Sequence, residues 1–225
     1  MRQIELAGLD DHVIAFQTGA GHTGEWCKGQ TSMHTPTGDY SAPMRRRFRA
    51  WLWEKYGDDA SLRAAWADPD VTLDTAEVPP HLAQISTTHQ SFRDPRTEMR
   101  VVDYYHCLAD LCGDLIIDFN RTVKEATQGR KLAGAFYGYI LEMAWNAGFF
   151  AEGPDSPYST IQRAGHLGLA KVLRSPYVDF LVSPYAYAFR GIGGHGPSMP
   201  PSEAMRIHNK LYLYEEDSRT HLAAH

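Results

Sequence analysis

The chain has 225 residues, with 22 Lys+Arg against 27 Asp+Glu, so its formal net charge is −5. This mildly acidic balance gives no electrostatic footprint for nucleic acid or for an anionic membrane surface, and we expect neither as a partner. Hydrophobic residues make up 43% of the chain and charged residues 22%, as in ordinary globular proteins. Twelve Tyr, nine Phe and five Trp argue against disorder. We treat residues 1–225 as a single domain.

Targeting, redox and metal signals are weak. The sequence has no run of eighteen apolar residues, so no membrane span is predicted. The first residues lack the basic stretch and apolar core of a secretory signal. The odd count of three cysteines is typical of a reducing compartment, so we expect a cytoplasmic protein. Among eleven histidines only His221 and His225 stand four apart, which is too few ligands for zinc. We therefore predict no metal site and no cofactor.

Four short apolar runs predict buried β-strands. Each is nearly continuous rather than alternating, as expected where both faces of a parallel sheet are covered. In chain order the runs are 12–17 (HVIAFQ), 132–139 (LAGAFYGY), 178–183 (VDFLVS) and 210–214 (KLYLY).

Helical patterns lie between these runs. The first starts at a Ser cap followed by Pro43 and stops at Gly57, which are typical helix boundary residues. Further helices are predicted over 59–66, 96–128, about 159–173 and 201–208, whereas 69–95 is polar, rich in proline and predicted to be irregular. Helices that alternate with buried strands indicate an α/β fold with a parallel sheet.

The working residues of such folds follow the carboxyl ends of the strands. After the first predicted strand, Gly19, Gly21 and Gly24 match a G-x-G-x-x-G dinucleotide motif, with Asp39 twenty residues after Gly19. That motif needs a helix pointing at the pyrophosphate, and residues 27–38 have no helical period. Nucleotide binding is therefore a minor alternative.

Carboxylates follow two of the predicted strands. Glu25 comes after the first, beside Trp26, and Glu215 directly ends the last, followed by Glu216 and Asp217. Two carboxyl groups at strand ends are the machinery of glycoside hydrolysis, in which one donates a proton and the other attacks the sugar. An apolar neighbour such as Trp26 would favour the protonated form that a general acid needs. The alternative is that these are exposed loop acids.

Aromatic residues near the same strand ends favour a sugar site, because rings stack on the apolar faces of sugars. We single out Trp26, Tyr137, Tyr185 and Tyr187, although Tyr137 also fits a place in the core. A Tyr at 185 or 187 would be placed to hydrogen-bond a nucleophilic carboxylate. Arg219 could orient that carboxylate, or form an ordinary loop salt bridge.

Several segments together resemble bacterial β-galactosidase-like proteins of glycoside hydrolase family 42 and near relatives. They span nearly the whole chain, and the two carboxylate motifs are their most specific part. The segments are 23–26 (TGEW), 39–41 (DYS), 48–57 (FRAWLWEKYG), 136–139 (FYGY), 179–185 (DFLVSPY) and 215–221 (EEDSRTH).

The resemblance implies a (β/α)₈ barrel with a retaining mechanism, whose acid/base follows the fourth strand and whose nucleophile ends the seventh. By position, Glu25 would be the acid/base and Glu215 the nucleophile, with Glu216 as the alternative. Enzymes of this clan usually carry Asn before the acid/base, where it contacts the sugar 2-hydroxyl, but this chain has Gly24. That contact would come from His22 or Gln17, or be missing.

Length sets a limit on this interpretation. A closed barrel typically needs about 250 residues and eight strands, whereas this chain shows four strand signals in 225 residues. The sequence therefore predicts a partial barrel, covering about strands four to seven. Its exposed strand edges would favour a homo-oligomer. The function expected is retaining β-glycoside hydrolysis, and the alternative is a catalytically incompetent, carbohydrate-binding barrel fragment.

Overall fold

Eight α-helices and four β-strands are present in a computed structural model that describes residues 2–21, 24–26, 38–86, 93–143, 164–185, 194 and 196–215. The strands are β1 (Ala15–Thr18), β2 (Leu132–Phe136), β3 (Phe180–Ser183) and β4 (Leu211–Tyr214). The helices are α1 (Arg2–Leu6), α2 (Ala42–Tyr56), α3 (Asp59–Trp66), α4 (His81–Ile85), α5 (Pro95–Ala126), α6 (Ile140–Met143), α7 (Leu169–Arg174) and α8 (Ser202–Ile207). Two short 3₁₀ helices, Asp10–His12 and His166–Gly168, precede β1 and α7.

The four strands form one parallel sheet in the sequential order β1-β2-β3-β4. The register pairs Ala15 with Leu132 and aligns Gly134, Phe180 and Leu211 across the other three strands. Strand order never reverses within this sheet, so it lacks the switch point at which doubly wound folds bind their ligands. All four carboxyl ends therefore meet at one edge.

Local sequence explains where the main helices begin and end. The Ser41 hydroxyl accepts a hydrogen bond from the Met44 backbone at the start of α2, and Gly57 ends this helix in the left-handed region. Asp58 caps α3 through the Ser61 backbone. Asp94 caps the long helix α5 through the Arg96 backbone.

The sheet packs one face against helices α5, α7 and α8. Ala135, Leu181 and Tyr212 belong to this face and contact a cluster contributed largely by those helices. That cluster comprises Cys112, Leu115, Ile116, Leu169, Val172, Leu173, Ala204 and Met205. On the opposite face, Gly134 lies under the Phe180 ring, and a Cβ built on Gly134 would come within 2.4 Å of that ring. The glycine is thus required by a close approach.

A second core joins α2, α3 and α5 around one buried carboxylate. Asp103 has a fully buried side chain, and its Oδ1 atom accepts from Lys55 Nζ at 2.5 Å. Its Oδ2 atom accepts from the Tyr56 hydroxyl and from Trp66 Nε1, each at 2.7 Å. Because every donor comes from α2 or α3, this carboxylate fixes both helices to α5.

The predicted α/β class with a parallel sheet is confirmed, and several boundaries are corrected. His12 lies in a 3₁₀ helix, so β1 starts later than predicted, and β2 ends at Phe136 rather than at residue 139. The helix predicted over 159–173 begins only after Gly165, whose φ of +85° interrupts it; residues 159–163 lie outside the described ranges. Helices α1, α4 and α6 were not predicted from the sequence.

The outer strands are also less buried than predicted. All four residues of β3 are buried, whereas Leu211 and Leu213 of β4 are 53% and 43% exposed. The reason is that β1 and β4 are the edges of the described sheet, so each has only one neighbouring strand. In the part of the chain that the structure describes, no helix combines the length and apolarity needed to cross a membrane.

Candidate functional site

The carboxyl edge of the sheet gathers the residues on which the functional prediction rests. Glu25 follows β1, Tyr139 follows β2, Tyr185 follows β3 and Glu215 follows β4. Because the strands are parallel, these four positions share one edge, which is where α/β folds place their ligands.

The loop that carries Glu25 is anchored through the neighbouring residue, Trp26. The Trp26 backbone N–H donates to the Ala20 carbonyl at 2.8 Å, and its indole Nε1 donates to the Thr18 carbonyl at 3.1 Å. Trp26 adopts φ +60°, an uncommon conformation for a bulky residue, which only firm surroundings maintain. Its ring is fully buried and lies edge-on to Phe119, with the ring centroids 5.5 Å apart.

The Glu25 side chain is half-buried and held by a residue of the next strand end. The Tyr139 hydroxyl donates a hydrogen bond to Glu25 Oε1 at 3.1 Å. Tyr139 itself is fully buried, so its hydroxyl approaches Glu25 from inside the protein. The arrangement therefore fixes one oxygen of a carboxyl group at the sheet edge.

A buried imidazole connects the same two loops. His166 Nδ1 lies 3.1 Å from the backbone nitrogens of both Gly138 and Tyr139, and Nε2 lies 3.0 Å from the Glu25 carbonyl oxygen. Its ring centroid is 4.6 Å from that of Tyr137 and 4.8 Å from that of Tyr139. Complete burial lowers the pKa of His166 to about 3, with the contact to the Glu25 carbonyl partly opposing the shift.

The other end of the edge is more open. Glu215 is exposed, and its backbone N–H donates to the Ser183 carbonyl at 3.0 Å, which continues the pairing of β3 with β4. Tyr185 is half-buried, and its ring centroid is 4.7 Å from that of Tyr214, whose side chain is 43% exposed. The Tyr212 hydroxyl lies 2.6 Å from Ser183 Oγ, and burial raises the pKa of Tyr212.

The site residues predicted from sequence fall into three groups: those at the common edge, those that are buried, and those outside the described residues. Glu25 and Glu215 lie at the common edge, and Tyr185 is partly accessible there. Trp26 and Tyr137 are fully buried, and the Tyr137 hydroxyl donates to the Gly165 carbonyl at 2.7 Å, so both rings lack an open face for a sugar and act in packing. His22, Tyr187, Arg219 and Glu216 lie outside the described residues.

Sequence reasoning did not single out the contacts of Tyr139 and His166. Tyr139 carried a usable signal, since it lies three residues beyond the end of β2 in an aromatic segment. His166 carried none, because it is 141 residues away from Glu25 and falls within a stretch that was predicted to be helical.

The glycine motif has a structural explanation. A Cβ on Gly19 would come within 2.9 Å of the Gly24 carbonyl oxygen, and Gly21 and Gly24 have φ of +77° and +82°. Residues 24–26 form a turn rather than the start of a helix, so the described part of the motif lacks a helix N-terminus for a pyrophosphate. Among the residues described, no three His, Cys, Asp or Glu side chains are grouped to hold a metal ion.

Comparisons with family models, with curated proteins and with solved structures find no match to this chain. The parallel sheet and the groups at its carboxyl edge are therefore the features of the chain that bear on its function.

Proposed function

We propose that the protein is a retaining β-glycoside hydrolase, similar to β-galactosidases, with Glu25 as the acid/base and Glu215 as the nucleophile. One observation carries the proposal: two carboxyl groups follow the first and last strands of a parallel sheet at the same edge. The sequence resemblance to family 42 proteins supports the same two residues. The partial (β/α) barrel, covering about strands four to seven, belongs to this proposal.

In the proposed reaction, Glu25 protonates the leaving glycosidic oxygen while a Glu215 carboxylate oxygen attacks the anomeric carbon. The bond to the leaving group breaks as the bond to Glu215 forms. Glu25 then removes a proton from water, which attacks the same carbon and releases Glu215 as a carboxylate. The Tyr139 hydroxyl holds Glu25 Oε1 during both steps, so it serves orientation rather than proton transfer.

The register of β4 favours Glu215 over Glu216. Tyr212 contacts the helix-covered core, so Leu211 and Leu213 lie on the opposite face of the sheet. Glu215 continues the pairing with β3 and shares the face of Leu211 and Leu213 by the two-residue period of a strand. In a barrel this face, away from the helices, lines the interior.

Retaining chemistry also sets a condition on the curvature of the sheet. β1 and β4 are three strand spacings apart, which is about 14 Å across a flat sheet. The two carboxyl groups of a retaining pair stand only about 5 Å apart. The proposal therefore requires a rolled sheet whose inner face brings the side chains from β1 and β4 together, as barrel curvature does.

Substrate contacts are proposed along the same edge. The partly exposed rings of Tyr185 and Tyr214 offer aromatic surface beside Glu215 for the apolar face of a sugar. His22, Tyr187 and Arg219 remain proposed binding residues on the basis of the sequence. A carbohydrate is thus the proposed partner, and no cofactor is required.

The proposal is tested with a panel of aryl β-glycosides that includes an aryl β-galactoside. We expect the wild-type protein to release the aryl group, Glu215→Gly to abolish release, and azide to restore part of it by occupying the vacated space. The control is Glu203→Gly, which removes an exposed carboxylate on α8 that is paired with Arg206. A wild-type protein inactive on the whole panel, or Glu215→Gly as active as Glu203→Gly, would refute the assignment.

A second candidate is a carbohydrate-binding protein without turnover. The observation that favours it is the strand count, because the described residues form four parallel strands and a closed barrel has eight. It predicts saturable binding of galactosides with no product. Isothermal titration with galactose and with a non-hydrolysable thiogalactoside, alongside the hydrolysis assay, separates the two functions.

A homo-oligomer is also proposed, on the basis of the sheet edges. Leu211 and Leu213 of β4 are exposed, and Ile14, which precedes β1, is 76% exposed. Apolar side chains at sheet edges favour association with another chain. Light scattering should give a mass above the 25.3 kDa of one chain, and Leu213→Lys should lower it. The control is Leu82→Lys, at a 73% exposed position on α4, which should leave the mass unchanged. A wild-type protein with the 25.3 kDa mass of one chain would refute association.

A further inference from the structure

We propose that His166 is a positioning residue that joins the loop after β1 to the loop after β2 and thereby holds Glu25 against the Tyr139 hydroxyl. The importance of this role for hydrolysis rests on the proposed function of Glu25. The mechanical part of the proposal, that His166 fixes the Glu25 loop, does not.

The hydrogen-bond partners define the tautomer of His166. Nδ1 lies within hydrogen-bond distance of two backbone N–H donors, those of Gly138 and Tyr139, so it accepts and carries no proton. Nε2 therefore carries the proton and donates it to the Glu25 carbonyl oxygen at 3.0 Å. One ring thus accepts from the loop after β2 and donates to the loop after β1.

Complete burial keeps this arrangement in a single protonation state. Burial lowers the pKa of His166 to about 3, so the imidazole stays neutral near neutral pH. A charged ring would lose its Nδ1 acceptor, and both backbone N–H groups would then face a third donor. The connection between the loops is therefore constant over the pH range in which glycosidases are assayed.

The position of His166 is itself closely fixed. The Tyr137 hydroxyl donates to the Gly165 carbonyl, just before His166, and the Tyr137 ring packs against the imidazole. Two residues later, a Cβ on Gly168 would come within 2.5 Å of the Ala109 carbonyl oxygen of α5. His166 is thus held against α5 and against the segment that follows β2, and it transmits that rigidity to the Glu25 loop.

Two substitutions separate the two hydrogen-bonding functions of the ring. In His166→Gln, the amide nitrogen reaches the place of Nε2 and keeps a donor for the Glu25 carbonyl. In His166→Asn, the shorter side chain keeps an acceptor near Nδ1 but does not reach the Glu25 carbonyl. Each variant therefore keeps one of the two connections of the ring and loses the other, and only His166→Asn loses the hydrogen bond to the Glu25 carbonyl.

The readout is hydrogen exchange of tryptophan indole N–H groups, followed by NMR on the full chain. Trp26, next to Glu25, has an indole bonded to the Thr18 carbonyl, whereas those of Trp51 and Trp66 bond Asp110 and Asp103 in the second core. In His166→Asn we expect exchange at Trp26 to be at least about tenfold faster than in the wild type, corresponding to about 1.4 kcal/mol. In His166→Gln it should stay within about threefold, with Trp51 and Trp66 unchanged in both variants.

The outcomes separate positioning from general stability. Unchanged exchange at Trp26 in His166→Asn, equal acceleration by both variants, or parallel acceleration at all three indoles would overturn the proposal. Where the wild type hydrolyses an aryl glycoside, His166→Asn should lower kcat about tenfold with little change in KM, and His166→Gln should restore most of it. If the wild type is inactive, the proposed function fails, while the exchange result still decides whether His166 fixes the loop.

Discussion

Replacement of Asp103 by Asn should destabilise the protein markedly although it changes few atoms. The carboxylate is fully buried and accepts three hydrogen bonds, from Lys55, Tyr56 and Trp66. The Asn amide has one oxygen. If this oxygen accepts from Tyr56 and Trp66, the amide NH₂ group faces the Lys55 ammonium. The substitution therefore removes an ion pair and leaves two donors opposed.

The magnitude follows from these contacts. Removing one partner of a buried pair costs about 3–5 kcal/mol, but the Lys55 side chain is 34% exposed and can regain water. Two further hydrogen bonds change from a charged to a neutral acceptor, at a cost of about 0.5 kcal/mol each. We therefore expect the free energy of unfolding to fall by about 3 kcal/mol.

Urea denaturation followed by tryptophan fluorescence measures this change. The control is Asp118→Asn on the same helix, where an Asp that is 55% exposed pairs with a half-exposed Arg121 and should contribute less than about 0.5 kcal/mol. A loss below about 1 kcal/mol for Asp103→Asn, or equal losses for the two variants, would refute the reasoning that the buried carboxylate fixes α2 and α3 to α5.

Three further predictions test the site, the buried imidazole and the sheet. Tyr139→Phe removes the hydroxyl bonded to Glu25 and should lower kcat/KM about tenfold in the aryl glycoside assay. The control is Tyr40→Phe, which removes a hydroxyl that donates to the Pro79 carbonyl, and it should leave kcat/KM unchanged. His166 binds a proton near pH 6.5 when unfolded but only near pH 3 when folded, so the unfolded state binds more protons between these values. The free energy of unfolding should therefore decrease as the pH is lowered through this range. The decrease should be steeper in the wild type than in His166→Gln by about 1.4 kcal/mol per pH unit, and equal slopes for the two proteins would contradict this. Gly134→Ala should cost about 2–3 kcal/mol in urea denaturation, because the added methyl group meets the Phe180 ring and carbonyl; an unchanged midpoint would contradict it.

The elements that local sequence controls were predictable. Boundaries of α2 and α3 follow from Ser41, Gly57 and Asp58, each of which acts on a backbone group within a few residues. The exposure of β4 was not predictable, because an apolar run reads alike in a central and in an edge strand. The break at Gly165 was also hidden, since its φ is fixed by contacts with Tyr137 that lie far away in sequence.

The candidate site also has features that could be predicted from the sequence and features that could not. The positions of Glu25 and Glu215 after strands could be predicted, because the topology of a parallel sheet brings all strand ends to one edge. The burial of Trp26 and the link through His166 could not, since both depend on where α5 and the segment before α7 pack. Sequence thus predicts which edge of the sheet carries the candidate residues, whereas tertiary packing decides which of their side chains are buried as supports.

The two carboxyl groups are held in different ways, and the difference bears on how the proposed enzyme would work. Glu25 lies in a loop fixed by Trp26, Tyr139 and His166, the rigid surroundings that a group exchanging protons with substrate requires. Glu215 is exposed at the end of an edge strand whose outer side has no neighbouring strand in the described sheet. A nucleophile must be held within a fraction of an ångström of its line of attack. The proposed association through β4 would add a neighbour to this edge strand, so specific activity and oligomer fraction should fall together as the wild-type protein is diluted.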